Sequence, residues 1–348
     1  MPITQAKLQA TFSLKRILIP VFIGIAASVY SLLSSNFEFS ALANITIDPF
    51  YFSMAIVCML IRDLAYIVRI RIITEKQLKI RDAWHVVMLW EFATSVTPSM
   101  VGGSAFAVFF LNAERINLGK STALILATVL LDELFYILCV ALILIVYGKQ
   151  ILLVGSNFSF DPTLFFFIGY AVIIVMTTSI LFGIFIVPQW FKYILVKIFS
   201  ISFLKRWKAK AEKTGDEIIT SSKELKGKPF LYWLKAFFAT AFSWTARFLV
   251  LNCLIMALNP QLGLHLQQQV IIYAKQLVMW VILMISPTPG ASGIAEMVFP
   301  AFFAGEFPEH THAAVAVLWR GISYYPYLIL GLIILPIWLA KLEKRKTK

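Results

Sequence analysis

Six stretches of this sequence run for about twenty residues or more with few charged side chains, and Lys and Arg gather just beyond their ends. They cover residues 17–35, 50–68, 122–147, 163–187, 231–258 and 313–340. A helix needs about 20 apolar residues to cross the hydrocarbon core of a bilayer, so each stretch predicts a transmembrane helix. Hydrophobic residues make up 60% of the chain and charged residues 14%. Soluble domains hold about 45–50% and about 25%. No polar shell could be assembled from so few charges, and the predicted fold class is all-α integral membrane. The first stretch, preceded by Lys15 and Arg16 and followed by Ala41-Leu42-Ala43, has some features of a signal peptide. It is long for such a segment and the Ala-x-Ala lies well past its end, which favours an uncleaved helix.

Two further apolar stretches are interrupted. Residues 84–111 are broken by Thr97-Pro98-Ser99-Met100-Val101-Gly102-Gly103, and residues 270–304 by Ser286-Pro287-Thr288-Pro289-Gly290-Ala291-Ser292-Gly293. Pro and Gly end helices, and the halves are too short to span. They predict two re-entrant hairpins with breaks at Pro98, Gly102, Gly103, Pro287, Pro289, Gly290 and Gly293. With the N-terminus in the cytoplasm and each hairpin returning to its own side, the cytoplasmic segments are 1–16, 69–83, 112–121, 188–230 and 341–348. These hold 25 of the 31 Lys and Arg residues. The outer segments hold Lys149 with Glu38, Asp48, Asp161, Glu306 and Glu309. Such sorting follows the positive-inside rule and predicts a multi-pass protein of the cell (inner) membrane with both termini cytoplasmic. The net charge of +13 therefore points to anionic headgroups of the inner leaflet rather than to nucleic acid. Residues 189–228 carry ten basic and four acidic side chains among Trp190, Phe191, Phe199, Phe203 and Trp207. That composition suits an amphipathic helix on the inner leaflet. A solvated helical loop suits its second half equally well.

The hairpins resemble each other: Thr97-Pro98 aligns with Thr288-Pro289 and Gly102 with Gly293. After each comes a charged apolar span, with Leu131-Asp132-Glu133 in one and Trp319-Arg320-Gly321 in the other, followed by Phe135-Tyr136 and Tyr324-Tyr325. Within one membrane domain of residues 1–348, the expected units are 50–147 and 231–340, inverted relative to each other. Broken helices expose backbone groups that lipid cannot satisfy, so two breaks predict a protein-walled cavity between them. The alternative is that the breaks permit tight helix packing.

The chain resembles the lysylphosphatidylglycerol synthase transmembrane-region family, whose members are also described as flippase-like. The resemblance rests on Trp90-Glu91-Phe92-Ala93, the Pro98–Gly103 string, Leu130-Leu131-Asp132, Pro287-Thr288-Pro289-Gly290 with Gly293, Ala295-Glu296, and Arg320 with Tyr324-Tyr325. It implies a protein that binds lipids or moves them across the membrane, notably aminoacylated phosphatidylglycerol. Two departures qualify that implication. Glu133 stands where the family commonly has Arg. The soluble aminoacyl-transferase domain of the full synthases is missing, so synthesis of lysyl-lipid is not expected.

Nine ionisable residues fall inside apolar segments: Arg62, Asp63, Glu91, Asp132, Glu133, Arg247, Lys275, Glu296 and Arg320. Exposed to lipid, such a set would cost on the order of 20 kcal/mol, more than a typical net stability of about 5–15 kcal/mol. They must be paired, hydrated or interfacial. Glu91 and Glu296 lie close to the breaks and suit a cavity wall. Arg62 and Asp63 suit either that wall or an ion pair with a neighbouring helix, and Arg247 and Lys275 either a polar interior or snorkelling to an interface. As a hypothesis, Arg320 meets a lipid phosphate while Asp132 and Glu133 attract an amine or carry protons. The expected substrate-binding set is Arg62, Glu91, Asp132, Glu133, Arg247, Glu296 and Arg320.

No Walker motif, dinucleotide fingerprint or nucleophile elbow is present. His310-Thr311-His312 beside Glu309 does not have the spacing of a helical metal pair, and Cys58, Cys139 and Cys253 form no metal or disulfide pattern. No cofactor or metal is expected. The expected function is binding and translocation of a phospholipid or lipid-linked anion, not catalysis. The competing classes are a membrane-embedded transferase acting on a lipid-linked substrate and a non-transporting partner of a lipid-processing complex. Gly24, Ala26, Ala27 and Ser28 could serve a homodimer or simple core packing.

Overall fold

The computed structural model describes residues 47–97, 99–152, 162–259, 264–286, 288–303, 305–306 and 312–345. The expected first span at 17–35, the small residues at 24–28, Pro98, Pro287 and the 309–311 loop lie outside the described residues. Twelve α-helices occur among the described residues, and no strand.

Helix α1 (Pro49–Ile73) starts where Pro49 follows Asp48, whose carboxylate accepts from the backbone N–H groups of Phe50 and Tyr51. Helices α2 (Ile80–Val96) and α3 (Ser99–Ala113) are the two limbs of the first hairpin and pack on each other. Their turn is tight. A Cβ at Gly102 would lie 2.9 Å from Cβ of Thr97, and one at Gly103 would lie 2.9 Å from Cα of Thr94. Helix α4 (Leu118–Tyr147) is capped by the Asn117 side chain on the Lys120 N–H and by Glu217, which accepts from the Gly119 N–H at 2.9 Å. Helix α5 (Pro162–Leu181) closes in a π-helical turn at Phe182–Ile186, where Pro188 begins α6 (Pro188–Ile198).

The polar 189–228 segment forms two helices. On α6 and the turn after it, Trp190, Tyr193, Ile198, Ile201 and Phe203 are exposed beside Lys192, Lys197, Lys205 and Arg206. Helix α7 (Lys208–Lys226) buries Ala211, Gly215, Ile218 and Leu225 and packs on α6 and α4. Helix α8 (Phe230–Leu258) runs against α1 along most of its length. The second hairpin is α9 (Leu266–Met284) and α10 (Ile294–Phe302), which differ in length by about a factor of two. Helices α11 (His312–Ser323) and α12 (Tyr325–Lys344) follow one another and together make up the span expected over 313–340, with an interruption at Tyr324. They part at Tyr324 because Pro326 has no N–H for the carbonyl one turn back, and its ring crowds that carbonyl.

Four described helical stretches are long and apolar enough to cross a membrane: Leu118–Tyr147, Thr163–Ile186, Phe230–Leu258 and Val315–Lys344, the last made of α11 and α12 together. Of these, α8 is the most buried and α5 the least, so α8 stands at the centre and α5 at the rim. Helix α1 is not among the four; its middle and second half bury Arg62, Asp63 and Arg69 against the rest of the protein.

A candidate anion site between two broken hairpins

The second break is a compact turn. The N–H of Ala291 donates to the Thr288 carbonyl and that of Ser292 to the Pro289 carbonyl, both at 3.0 Å. Gly290 adopts φ +54° and Gly293 φ +85°, the left-handed region that glycine tolerates. The turn leaves the Gly290 carbonyl outside any helix ladder, and Arg320 on α11 supplies a donor. Its Nη2 donates to that carbonyl at 2.9 Å and to the Ser292 hydroxyl at 3.0 Å, while Nε donates to Glu296 at 3.0 Å. The second Glu296 oxygen accepts from the Gly293 N–H at 2.7 Å and caps α10. Arg320 and Glu296 thus hold the break together.

Tyr324 connects this break to the first hairpin. Its hydroxyl donates to the Ser95 carbonyl at 3.0 Å, at the end of α2, and receives the Ser292 hydroxyl at 3.4 Å. The Arg320 guanidinium lies 3.9 Å from the centre of the Tyr324 ring.

Between the hairpins lies a cavity of about 200 Å³. Of the seven residues expected to bind substrate, Arg62, Glu91, Asp132, Glu133, Arg247 and Arg320 line it. Glu296 stands behind Arg320 instead. Ser286, Thr288 and Gly290 from the second break also reach the wall, as do Thr94 and Ser95 from the first.

The charges are arranged as a chain of pairs. Arg62, only 1% exposed, donates to Asp63 at 2.8 Å and to the Tyr327 hydroxyl at 3.0 Å, and contacts Glu91 at 2.5 Å. The Tyr327 hydroxyl donates to Asp63 at 2.6 Å. Asp132 is engaged by Arg69 and by the Trp244 indole N–H. The Tyr66 ring sits near two guanidiniums, with Arg62 4.3 Å and Arg69 4.2 Å from its centre. Such contacts contribute about 2 kcal/mol when desolvated. Arg247 differs from these. It lies 4.6 Å from the Trp280 ring centre and 5.6 Å from that of Trp244, and 3.6 Å from Glu91. No hydrogen bond engages its guanidinium among the described residues. Lys275, which sequence left between snorkelling and a polar interior, pairs with Glu306 at 3.0 Å.

Sequence reasoning placed Arg69 in a cytoplasmic segment. The structure buries it to 1% exposure on the cavity wall. Its signal was its position seven residues after Arg62, two turns along the same helix face. Trp244 and Trp280 carried no comparable signal in so aromatic a chain.

One other cluster could suit a metal. Ligand atoms of Asp82, His85 and Glu114 come within 4.8 Å of one another. Lys341 and Arg345 contact both carboxylates, so the cluster already has its cations. Burial pushes the Asp82 carboxyl up, but the Lys341 hydrogen bond and charge outweigh it and hold the group below its ordinary range.

The transmembrane region of lysylphosphatidylglycerol synthase, as a family, matches residues 17–331. The chain belongs to this family. A UPF0104 membrane protein of Archaeoglobus fulgidus is 26% identical over 273 residues, covering 71% of this chain and 73% of that protein. No solved structure matches. The region matched by the lysylphosphatidylglycerol synthase transmembrane family contains both breaks and all of the cavity's charged residues.

Proposed function

We propose that the protein binds a phospholipid or lipid-linked anion and translocates it between the leaflets of the cell membrane, without covalent chemistry. The observation that carries this reading is Arg247. It is a guanidinium on a cavity wall, flanked by indoles and 3.6 Å from Glu91, and no described residue hydrogen-bonds it. Guanidinium presents a planar fork that matches phosphate oxygens, and in a site sheltered from water such a contact is strong. A cavity of about 200 Å³ has room for a small headgroup while the acyl chains remain in lipid. The sequence relation between the hairpins supports alternating access, in which two inverted units, 50–147 and 231–340, rock about the site. Both termini then lie in the cytoplasm, with the exposed apolar and basic residues of α6 on the anionic inner leaflet.

The test is leaflet-to-leaflet movement of labelled anionic and aminoacylated lipids in proteoliposomes. The wild-type protein is expected to move at least one of them faster than empty vesicles do. Hydrogen bonds to charged groups contribute about 1.5–3 kcal/mol, so Arg247→Ala should slow movement by about tenfold to a hundredfold. Arg247→Lys should fall between the two. Equal rates for wild type and empty vesicles with every lipid would reject the reading, and an unaffected Arg247→Ala would remove this residue from the site.

A further inference from the structure

Four guanidiniums line the cavity, those of Arg62, Arg69, Arg247 and Arg320, with three carboxylates, those of Glu91, Asp132 and Glu133; two more, Asp63 and Glu296, stand behind the wall against Arg62 and Arg320. Four of the acids have a cationic partner: Asp63 and Glu91 share Arg62, Asp132 has Arg69, and Glu296 has Arg320. Glu133 has none among the described residues. It is 3% exposed; one oxygen accepts from the Thr177 hydroxyl of α5 at 2.8 Å and the other has no partner among the described residues.

The described surroundings offer it no counter-charge. On its own helix the ionisable neighbours are Asp132, which is held by Arg69 and Trp244, and Tyr136. From α1, Arg62 and Arg69 are engaged elsewhere, and from α2, Glu91 would repel it. From α8, Arg247 lies beside Glu91 and the indoles, and from α9, Lys275 is paired with Glu306. From α11, Arg320 is bound to the second break. From α7, Glu217 and Glu224 meet the far end of α4 near Gly119 and Lys120. The cavity's charges therefore balance when Glu133 is neutral, and an arriving anion adds a further negative charge to the same space.

We propose that Glu133 is a proton-binding site and that a proton travels with the anionic substrate through the cavity. The inference rests on reading the cavity as a lipid path. Glu133 takes a proton from the water on the loading side as the anion binds near Arg247, and releases it on the other side as the anion leaves. No bond other than the carboxyl O–H forms or breaks.

Proteoliposomes holding the full chain are given a pH step of one unit, with the membrane potential clamped by potassium and valinomycin, and labelled anionic phospholipid is followed between leaflets. With one proton per lipid, the wild type accumulates lipid in one leaflet up to about tenfold, the equivalent of about 1.4 kcal/mol. Glu133→Gln, which cannot exchange a proton, equilibrates lipid without regard to the step or moves none. A Glu133→Gln protein that accumulates lipid as the wild type does overturns the proposal, and so does a wild type that moves lipid but ignores the step.

Infrared difference spectra of the purified protein test the site without transport. A carboxylic C=O band that titrates in the wild type should be absent from Glu133→Gln and shifted in frequency in Thr177→Val, which removes the hydroxyl that donates to this carboxyl. Absence of that band in the wild type also overturns the proposal. Failure of every preparation to move lipid counts against the translocation reading, and the band then decides Glu133 by itself.

Discussion

Replacing Arg62 with alanine is expected to destabilise the protein by about 3–5 kcal/mol, the usual consequence of removing one partner from a buried ionic network. Arg62 contacts Asp63, Glu91 and the Tyr327 hydroxyl, and so joins α1, α2 and α12. Without it, Asp63 retains only the Tyr327 hydrogen bond and Glu91 retains only Arg247 at 3.6 Å. Each then carries charge in a region where lipid and apolar side chains give no compensation. Arg62→Lys keeps the charge but cannot reach all three partners, and should recover about half of the loss. Thermal unfolding of the purified variants in detergent measures both. The Arg62→Ala, Glu91→Ala double variant should be less destabilised than the sum of the single variants, because the network is broken only once. Additive losses would show that the two residues do not interact.

Gly290→Ala is expected to disable the site through the backbone. Gly290 sits at φ +54°, and a Cβ there would lie 2.2 Å from Cε2 of Tyr324. The left-handed conformation costs an alanine about 1–2 kcal/mol, and the overlap adds about 1–3 kcal/mol. Relieving the overlap moves the Tyr324 ring, which disturbs the hydroxyl contact with Ser95 and the Arg320 guanidinium stacked on that ring. The Arg320 bond to the Gly290 carbonyl lies in the same turn. Loss of lipid movement should therefore exceed what the loss of stability alone explains. Gly321→Ala is the control, since a Cβ at Gly321 meets nothing within 4 Å. In the interior of α11 it should be neutral or stabilising by up to about 1 kcal/mol. Comparable behaviour of the two variants would mean that the turn is not held as described.

The two results bear on different levels of the protein. The first measures how the intramembrane charges hold three helices together; the second measures how the broken backbone holds the charges in place. Arg320 belongs to both, since it is buried like Arg62 and spends its donors on the break rather than only on a carboxylate. The proposed phosphate contact is therefore given to Arg247, which no described residue hydrogen-bonds.

The sequence by itself determined that the chain is an all-α membrane protein, where the four longest apolar helical stretches run, that two other apolar stretches are broken, and that charges within such stretches must find partners. Those properties follow from run length, from Pro and Gly, and from the cost of charge in hydrocarbon, none of which depends on what a helix packs against. The 313–340 stretch has the length of one span, and its apolar residues continue past Pro326 at its middle; only the structure shows the helix interrupted at Tyr324, between α11 and α12. Tertiary structure alone decided which charges meet. In a soluble helix the apolar face points to the core, but α4 and α5 are apolar on every side, so their sequences do not say which side meets protein and which meets lipid. Hence Arg69 was read as cytoplasmic although it is paired with Asp132, and Asp132 and Glu133, adjacent and both acidic, could not be told apart. Packing gives one of them a cation and an indole and leaves the other with a single hydroxyl, because successive residues on a helix point about 100° apart and meet different neighbours.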